Sequence, residues 1–542
     1  MWVQHPPNAN TILEGIINSL KPRVPASETS KPQPANLIQR VIRQPMWVAV
    51  LLALLALEFR ASGVQRANDV FIDEVTYADL AGQIAGGHTP SILGKPFFLH
   101  PPGSYALNAL VMRLCGLEGH PLDLALQLRW VNTVLGTVTV VVCFLVVRRL
   151  VGTGPAALAG IVLASDPFVL RMDGRLMMEP PAGLAVLSGW LLVLLLLNRK
   201  WRAARLWLEI CAGLVFGLAI VTKDMTVVFT VVPLLLGVFW RNTVPPLTAM
   251  RVIAAAMVPY AIYLGWITAN GLLPQFVDQK SVGVLRMAGA VQMTGFNSVA
   301  GVSLTDRLMD MVGRFGTSYV LLGLSIVAGA IAAFSPLADR RVIGLFSLLT
   351  GLVGIYSVFF GAAEEQFGYC VVLAALVSTP VAVMMVVDWL PRLRWTAVTA
   401  SALMVVLSLA LGIQARSVVD DGLVSARDWM NTELPVSSKV GLTSVTGEFA
   451  LLPHEGWEVL PSLQSLRDGG AQYVLTQGRQ LGEGYGFAAP ELLDWLKNNA
   501  RPVFTFTGPT SGDTVVWQLD RTKLDAAVAG GLTLPPISGG YR

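Results

Sequence analysis

The chain has 542 residues, 54% of them hydrophobic and only 14% charged, against roughly a quarter charged in soluble globular proteins. With a mean hydropathy of +0.59, this excludes an ordinary soluble enzyme and makes the membrane the solvent for most of the chain. The net charge of +4 is explained by where the basic residues fall along the chain, so no nucleic-acid partner is expected.

Residues 1–44 are polar and Pro-rich, with no early apolar core, and read as a disordered cytoplasmic tail and not as a signal peptide. From 45 to 413, apolar runs long enough for a bilayer core recur. About eleven transmembrane helices are expected, near 46–60, 129–147, 154–170, 180–197, 207–222, 225–240, 252–268, 317–334, 342–361, 367–388 and 395–413. Between the first two lies a large loop, 61–128. It has a helical pattern from Val75 to Ile84 and an apolar stretch from Tyr105 to Leu114, too short to span and expected along the membrane surface. A second loop, about 269–316, has no clear period and reads equally as a mobile substrate loop or a plain connector. Residues 414–542 have the composition of a soluble α/β domain. Short β-type runs (Lys439-Val440, Tyr473 to Leu475, Val503 to Phe506, Thr514 to Trp517) alternate with amphipathic helices (Val424 to Asn431, Pro490 to Asn499). That segment carries no nucleophile elbow, Gly-rich phosphate loop or metal-ligand cluster, and is expected to bind or cover something. The four cysteines sit in or beside apolar runs without metal-ligand spacing.

Lys and Arg in the short connections set the orientation. With the N-terminus inside, Arg40/Arg43, Arg148/Arg149, Arg199 to Arg205, Arg241/Arg251, Arg340/Arg341 and Arg392/Arg394 are all cytoplasmic. The intervening connections carry acids: Asp73-Glu74, Asp173 with Glu179, Asp224, Glu364-Glu365. An odd number of spans leaves the C-terminal domain outside.

Charged side chains at membrane depth are costly, so their convergence is a functional signal. Asp73-Glu74, at a predicted helix start, serves either as capping and dipole compensation or as a base for an acceptor hydroxyl or amine. In His100-Pro101-Pro102-Gly103, the prolines fix a turn and the Gly permits close approach, which holds His100 where an anion or a proton could reach it. Arg175 and Glu179 are four apart and share a face if helical; they form an ion pair, or Arg175 holds a phosphate while Glu179 faces sugar or acceptor. Lys223 either contacts phosphate or snorkels. Lys95, Asp173, Glu364 and Glu365 complete the candidates.

Taken together, the paired acids, His100-Pro-Pro-Gly, Arg175-Leu-Met-Met-Glu179, Leu128-Arg-Trp-Val-Asn132, Gly217 to Lys223 and Glu364-Glu365-Gln366-Phe367 resemble the signatures of the protein O-mannosyltransferase and aminoarabinose-transferase superfamily, membrane glycosyltransferases of the GT-C class. The resemblance covers about 45–390. It implies a GT-C transmembrane catalytic domain and direct, inverting displacement of a sugar from a polyprenyl-phosphate donor on the outer face of a plasma (inner) membrane, to a protein, lipid or glycan acceptor. Asp73 matches the family's base, Glu74 its neighbour, His100 and Arg175 the donor-phosphate contacts, and Glu179 the second acid. Glu179 stands where members often carry Asp, and His100 where the aminoarabinose branch commonly has Lys. No cofactor is required by this chemistry; a divalent metal is compatible with the acid-rich mouth. A sugar-lipid transporter or flippase is the alternative, against which the acids lie at the mouth and not at the midplane.

Overall fold

A computed structural model describes residues 45–198, 205–291, 303–360, 365–482, 486–534 and 536, with the backbone only for Glu365. Each of the eleven apolar runs is helical. In chain order they are α1 (Pro45–Ala61), α4 (Pro121–Val151), the pair α5 (Thr153–Ser165) and α6 (Pro167–Asp173), α7 (Glu179–Leu196), α8 (Arg205–Thr222), α9 (Thr226–Phe239), α10 (Pro246–Ala269), α12 (Leu304–Ala333), α13 (Ala338–Phe359), α14 (Gly368–Trp389) and α15 (Arg394–Ser417). Among the described residues eight helices are long and apolar enough to cross a membrane, or nine if the bent pair α5/α6 is one span. The chain is a multi-pass membrane protein.

The third run is not a straight span. Ser165-Asp166-Pro167 breaks it: Asp166 caps α6 by accepting the Val169 amide at 3.0 Å, Pro167 takes the first helical position, and the two halves bend by 59°. At the end of the bundle opposite the 61–128 loop, three of the basic connections meet. Arg149 faces Asp339 at 3.6 Å, Arg340 donates to the Leu150 carbonyl and Arg341 to Thr243. Among the described residues, three of the connections that carry Arg in the sequence thus lie together in space.

The 61–128 loop folds as α2 (Ile72–Ala85), a two-residue hairpin of β1 (Ser91–Ile92) and β2 (Lys95–Pro96), and α3 (Gly103–Cys115). Its inner face is apolar, with Tyr77, Ala78, Leu80, Ala81, Tyr105, Ala109 and Met112 buried against Leu124, Ala125 and Leu128 of α4. The second loop holds α11 (Leu273–Met287). Beyond the bundle come α16 (Gly422–Glu433), β3 (Val440–Leu442), α17 (Val445–Leu451), β4 (Trp457–Val459), α18 (Leu463–Asp468), β5 (Tyr473–Gln477), α19 (Gly478–Gly482), α20 (Glu491–Asn499), β6 (Ala500–Gly508), β7 (Gly512–Leu519) and α21 (Arg521–Ala529). The sheet runs β4-β3-β5-β7-β6, parallel across the first three strands and antiparallel thereafter.

This α/β unit is docked, not tethered. Val70, Val75 and Leu122 share one apolar core with Leu423, Ala426, Met430 and Leu442. Around it, Arg66 meets Asp421 at 2.8 Å, Arg427 meets Asp123 at 2.7 Å, and the Asp420 amide donates to the Arg66 carbonyl at 2.7 Å.

Candidate active site

Asp73 and Glu74 start α2 side by side but serve different surroundings. Glu74 is fully buried in a two-pronged pair with Arg129 of α4, at 2.6 and 2.9 Å, and also accepts the Phe71 and Leu176 amides at 3.2 Å. Every guanidinium nitrogen of Arg129 is in turn used, on Glu74 and on the carbonyls of Val64, Gln65, Asn68 and Asp69. Asp73, one position earlier, lines a cavity of about 240 Å³ together with Thr76 and Tyr77, three and four residues further along the same helix face. Glu74 does not line it.

The cavity lies where the 61–128 loop, the bundle mouth, α11 and the C-terminal domain converge. His100 enters because of the geometry of Pro101-Pro102-Gly103: a Cβ on Gly103 would sit 2.6–2.7 Å from the Thr222 hydroxyl and the Val221 carbonyl. Only glycine lets α3 start this close to the end of α8, and the approach brings His100 into one cavity with Lys223 and Asp224. The imidazole is boxed edge-on by Tyr77 and Phe97, with ring centroids at 6.3 and 6.1 Å. Burial, and then the charges of Lys223, Lys280 and Arg286, hold its pKa well below the ordinary histidine value.

Lys223 is buried, reaches the Glu179 carboxylate and lies 4.9 Å above the Phe367 ring. The other Glu179 oxygen is buried without a hydrogen-bond partner. Lys280 pairs with Asp224 and donates to the Leu99 carbonyl at 2.9 Å. Beside it, the Gln279 amide spans the Phe98 amide and the Pro96 carbonyl, both at 2.7 Å, which fastens α11 to the strand leading into His100. Burial lowers the Lys280 pKa, and Asp224 opposes this. From the C-terminal domain, Val445, Glu448, Phe449 and Phe487 form the opposite wall.

Arg175 and Glu179 do not share a helical face, and the expected ion pair between them is replaced by two others. Residues 174–178 form a turn, pinned by Asn132, whose amide donates to the Arg175 and Met177 carbonyls at 2.7 and 2.8 Å. Glu179 then opens α7, while Arg175 turns to Asp69 and lies 5.6 Å from the Phe71 ring. Arg171 at 3.3 Å and the Thr510 hydroxyl at 3.1 Å complete the Asp69 hub. Burial pushes the Asp69 carboxyl up, but Arg175 and Arg171 more than offset it and hold it well below the usual carboxylate range. Asp173 is sealed in the bundle, accepting from Arg60 and from the Tyr369 hydroxyl, each at 2.8 Å. Lys95 is exposed at the hairpin. Glu364 lies outside the described residues; Glu365 opens a 3-10 turn whose next residues, Gln366 and Phe367, line the cavity.

Sequence reasoning missed Lys280, Arg286, Asp69 and Glu448. Lys280 had a signal: Phe276, Lys280, Val284 and Met287 recur at helical spacing after Pro274. Asp69 had none, because its partners stand 102 to 441 positions away. Among the described residues no group of three or more His, Cys, Asp or Glu is gathered as metal ligands.

Residues 99–266 match the family model of dolichyl-phosphate-mannose-protein mannosyltransferases. No curated protein matches the chain. Among solved structures, ArnT from Cupriavidus metallidurans bound to undecaprenyl phosphate superposes with a TM-score of 0.56 at 14% identity, covering 87% of this chain and 97% of that one. The Archaeoglobus fulgidus oligosaccharyltransferase in its apo form gives 0.55 at 13% identity, over 90% and 75% of the two chains. AglB from the same organism, in complex with an inhibitory peptide and a dolichol-phosphate, gives 0.51 at 13% identity, over 87% and 74% of the two chains. The resemblance drawn from the sequence holds at the level of the superfamily: the chain has the fold of the GT-C membrane glycosyltransferases.

Proposed function

We propose that the chain transfers a sugar from a polyprenyl-phosphate donor to an acceptor hydroxyl or amine, inverting the anomeric centre, in the cavity lined by Asp73. The observation that carries this reading is the gathering of charge around that cavity: the Asp73 carboxylate at the start of α2 shares it with His100, Lys223, Lys280 and Arg286, while Asp224 is paired with Lys280 and Glu448 stands on the wall from the C-terminal domain. The acceptor oxygen or nitrogen attacks C1 of the sugar as its proton passes to the Asp73 carboxylate. The bond from C1 to the phosphate oxygen breaks, and its electron pair leaves on polyprenyl phosphate. That anion needs no general acid; it needs fixed positive charge, which Lys223, Lys280 and Arg286 supply in place. Neutral His100 offers the phosphate one ring N–H, and Glu179 aims Lys223.

Glu74 and Arg175 act at one remove. Through Arg129 and Asp69 they fix the loop that presents Asp73. The Arg-bearing connections face the cytoplasm in this reading, with the cavity and the C-terminal domain on the outer side of a plasma (inner) membrane. Protein, lipid and glycan acceptors all present the required nucleophile.

The test is transfer from a panel of radiolabelled polyprenyl-phosphate sugars by the full chain in lipid, following release of polyprenyl phosphate. Donor turnover supports the transferase; movement of labelled lipid between leaflets without turnover favours the flippase.

A further inference from the structure

A second cavity of about 210 Å³ lies on the opposite flank of the Asp69 hub, between α12, α15 and the C-terminal domain. Arg171, Arg314 and Arg416 lie on its polar side with Asp420, Gln414 and Thr510; Leu170, Phe315 and Leu411 lie on its apolar side. Arg416, in the last turn of α15, is the telling member. Its Nη2 donates to the Leu170 carbonyl at 2.7 Å, but Nε and Nη1 are buried without an acceptor. The guanidinium is laid against Gly174, where a Cβ would come within 2.8–2.9 Å of its Nη atoms.

The neighbouring acids are engaged elsewhere. Asp173 accepts from Arg60 and Tyr369; Asp420 accepts the Thr510 and Ser511 amides at 3.0 and 3.1 Å; Asp310 accepts from Arg314 at 2.9 Å and Arg479 at 3.3 Å. Buried guanidinium N–H groups without acceptors are costly, so the cavity is short of an oxyanion. The apolar side indicates what carries it. Leu411 continues one turn along α15 as Leu407, which is 45% exposed on a helix whose outer face is apolar. A phosphate at Arg416 with hydrocarbon along α15 matches both halves of the site.

We propose that this cavity binds the headgroup phosphate of an anionic phospholipid, separately from the sugar-transfer cavity. The same oxyanion could come from lipid or from free phosphate, and the experiment separates them. The full chain in detergent is titrated with phosphatidylglycerol, phosphatidylcholine or sodium phosphate, and retained lipid is counted by native mass spectrometry alongside thermal unfolding. Phosphatidylglycerol is expected to stay bound and raise the melting temperature where the other two do not. Arg416→Gln and Arg314→Gln should each weaken it about tenfold, as for one charge-assisted contact, while Lys280→Gln, in the transfer cavity, leaves it unchanged. Arg314 is partly exposed, so its variant serves if Arg416→Gln fails to fold. Equal retention of phosphatidylcholine, or undiminished affinity in the folded Arg variants, overturns the site. Sodium phosphate matching the lipid overturns the lipid assignment.

Discussion

Two neighbouring carboxylates, Asp73 and Glu74, stand one residue apart and meet opposite worlds. Glu74 points into the packed core of the 61–128 loop, where Arg129 and two backbone amides satisfy it completely. Asp73 points into a cavity shared with four basic side chains. A helix turns about 100° per residue, so one position decides between scaffold and chemistry. The adjacent pair is a single device: one acid fixes the helix that aims the other.

Substitutions should split that pair. Asp73→Asn removes the base while keeping shape, and turnover in the donor assay should fall roughly 10²–10⁴-fold with the melting temperature unchanged. Glu74→Gln strands the buried Arg129 charge and should cost about 3–5 kcal/mol of stability, read as an earlier thermal transition; activity per folded molecule should fall far less than in Asp73→Asn. Lys280→Gln sharpens the picture of the basic wall, with donor affinity expected to drop about tenfold and no comparable loss from the exposed Lys95→Gln.

His100 gives a pH test. Its folded-state pKa lies below the ordinary 6.5, so the unfolded chain takes up the proton first as pH falls. The stability this neutral His contributes is fully present above pH 6.5 and is lost on acidification through the folded value. Between neutral pH and pH 5, the wild type should therefore lose stability relative to His100→Gln in thermal melts. The smallest effect is expected at Arg66, whose side chain is two-thirds exposed (66%) in its pair with Asp421: Arg66→Ala should leave the thermal transition almost unshifted.

The bundle was legible because apolar runs report helices through simple length and composition, and all eleven runs became helices. The break at Asp166-Pro167 was visible as a capping signal inside an apolar run, but hydropathy averages over it. Asp73, His100 and Lys223 were legible as charges at the mouth, and the structure brings them into one cavity. The partner of each charge was not. Glu74 finds Arg129 and Arg175 finds Asp69 through tertiary packing, so Arg175, read as a phosphate contact, sits instead in a closed ion-pair hub. The C-terminal domain read as a binding or covering unit, and the residues it contributes, Val445, Glu448, Phe449 and Phe487, lie on a short helix and a loop that carry no motif.

The most direct test of this division of labour is a single-turnover experiment on Asp73→Asn and Glu74→Gln with donor prebound at saturation. Asp73→Asn should bind donor with wild-type affinity and fail at the transfer step, while folded Glu74→Gln transfers. Unimpaired transfer by Asp73→Asn, with transfer abolished in folded Glu74→Gln, would contradict the account and move the base to Glu74.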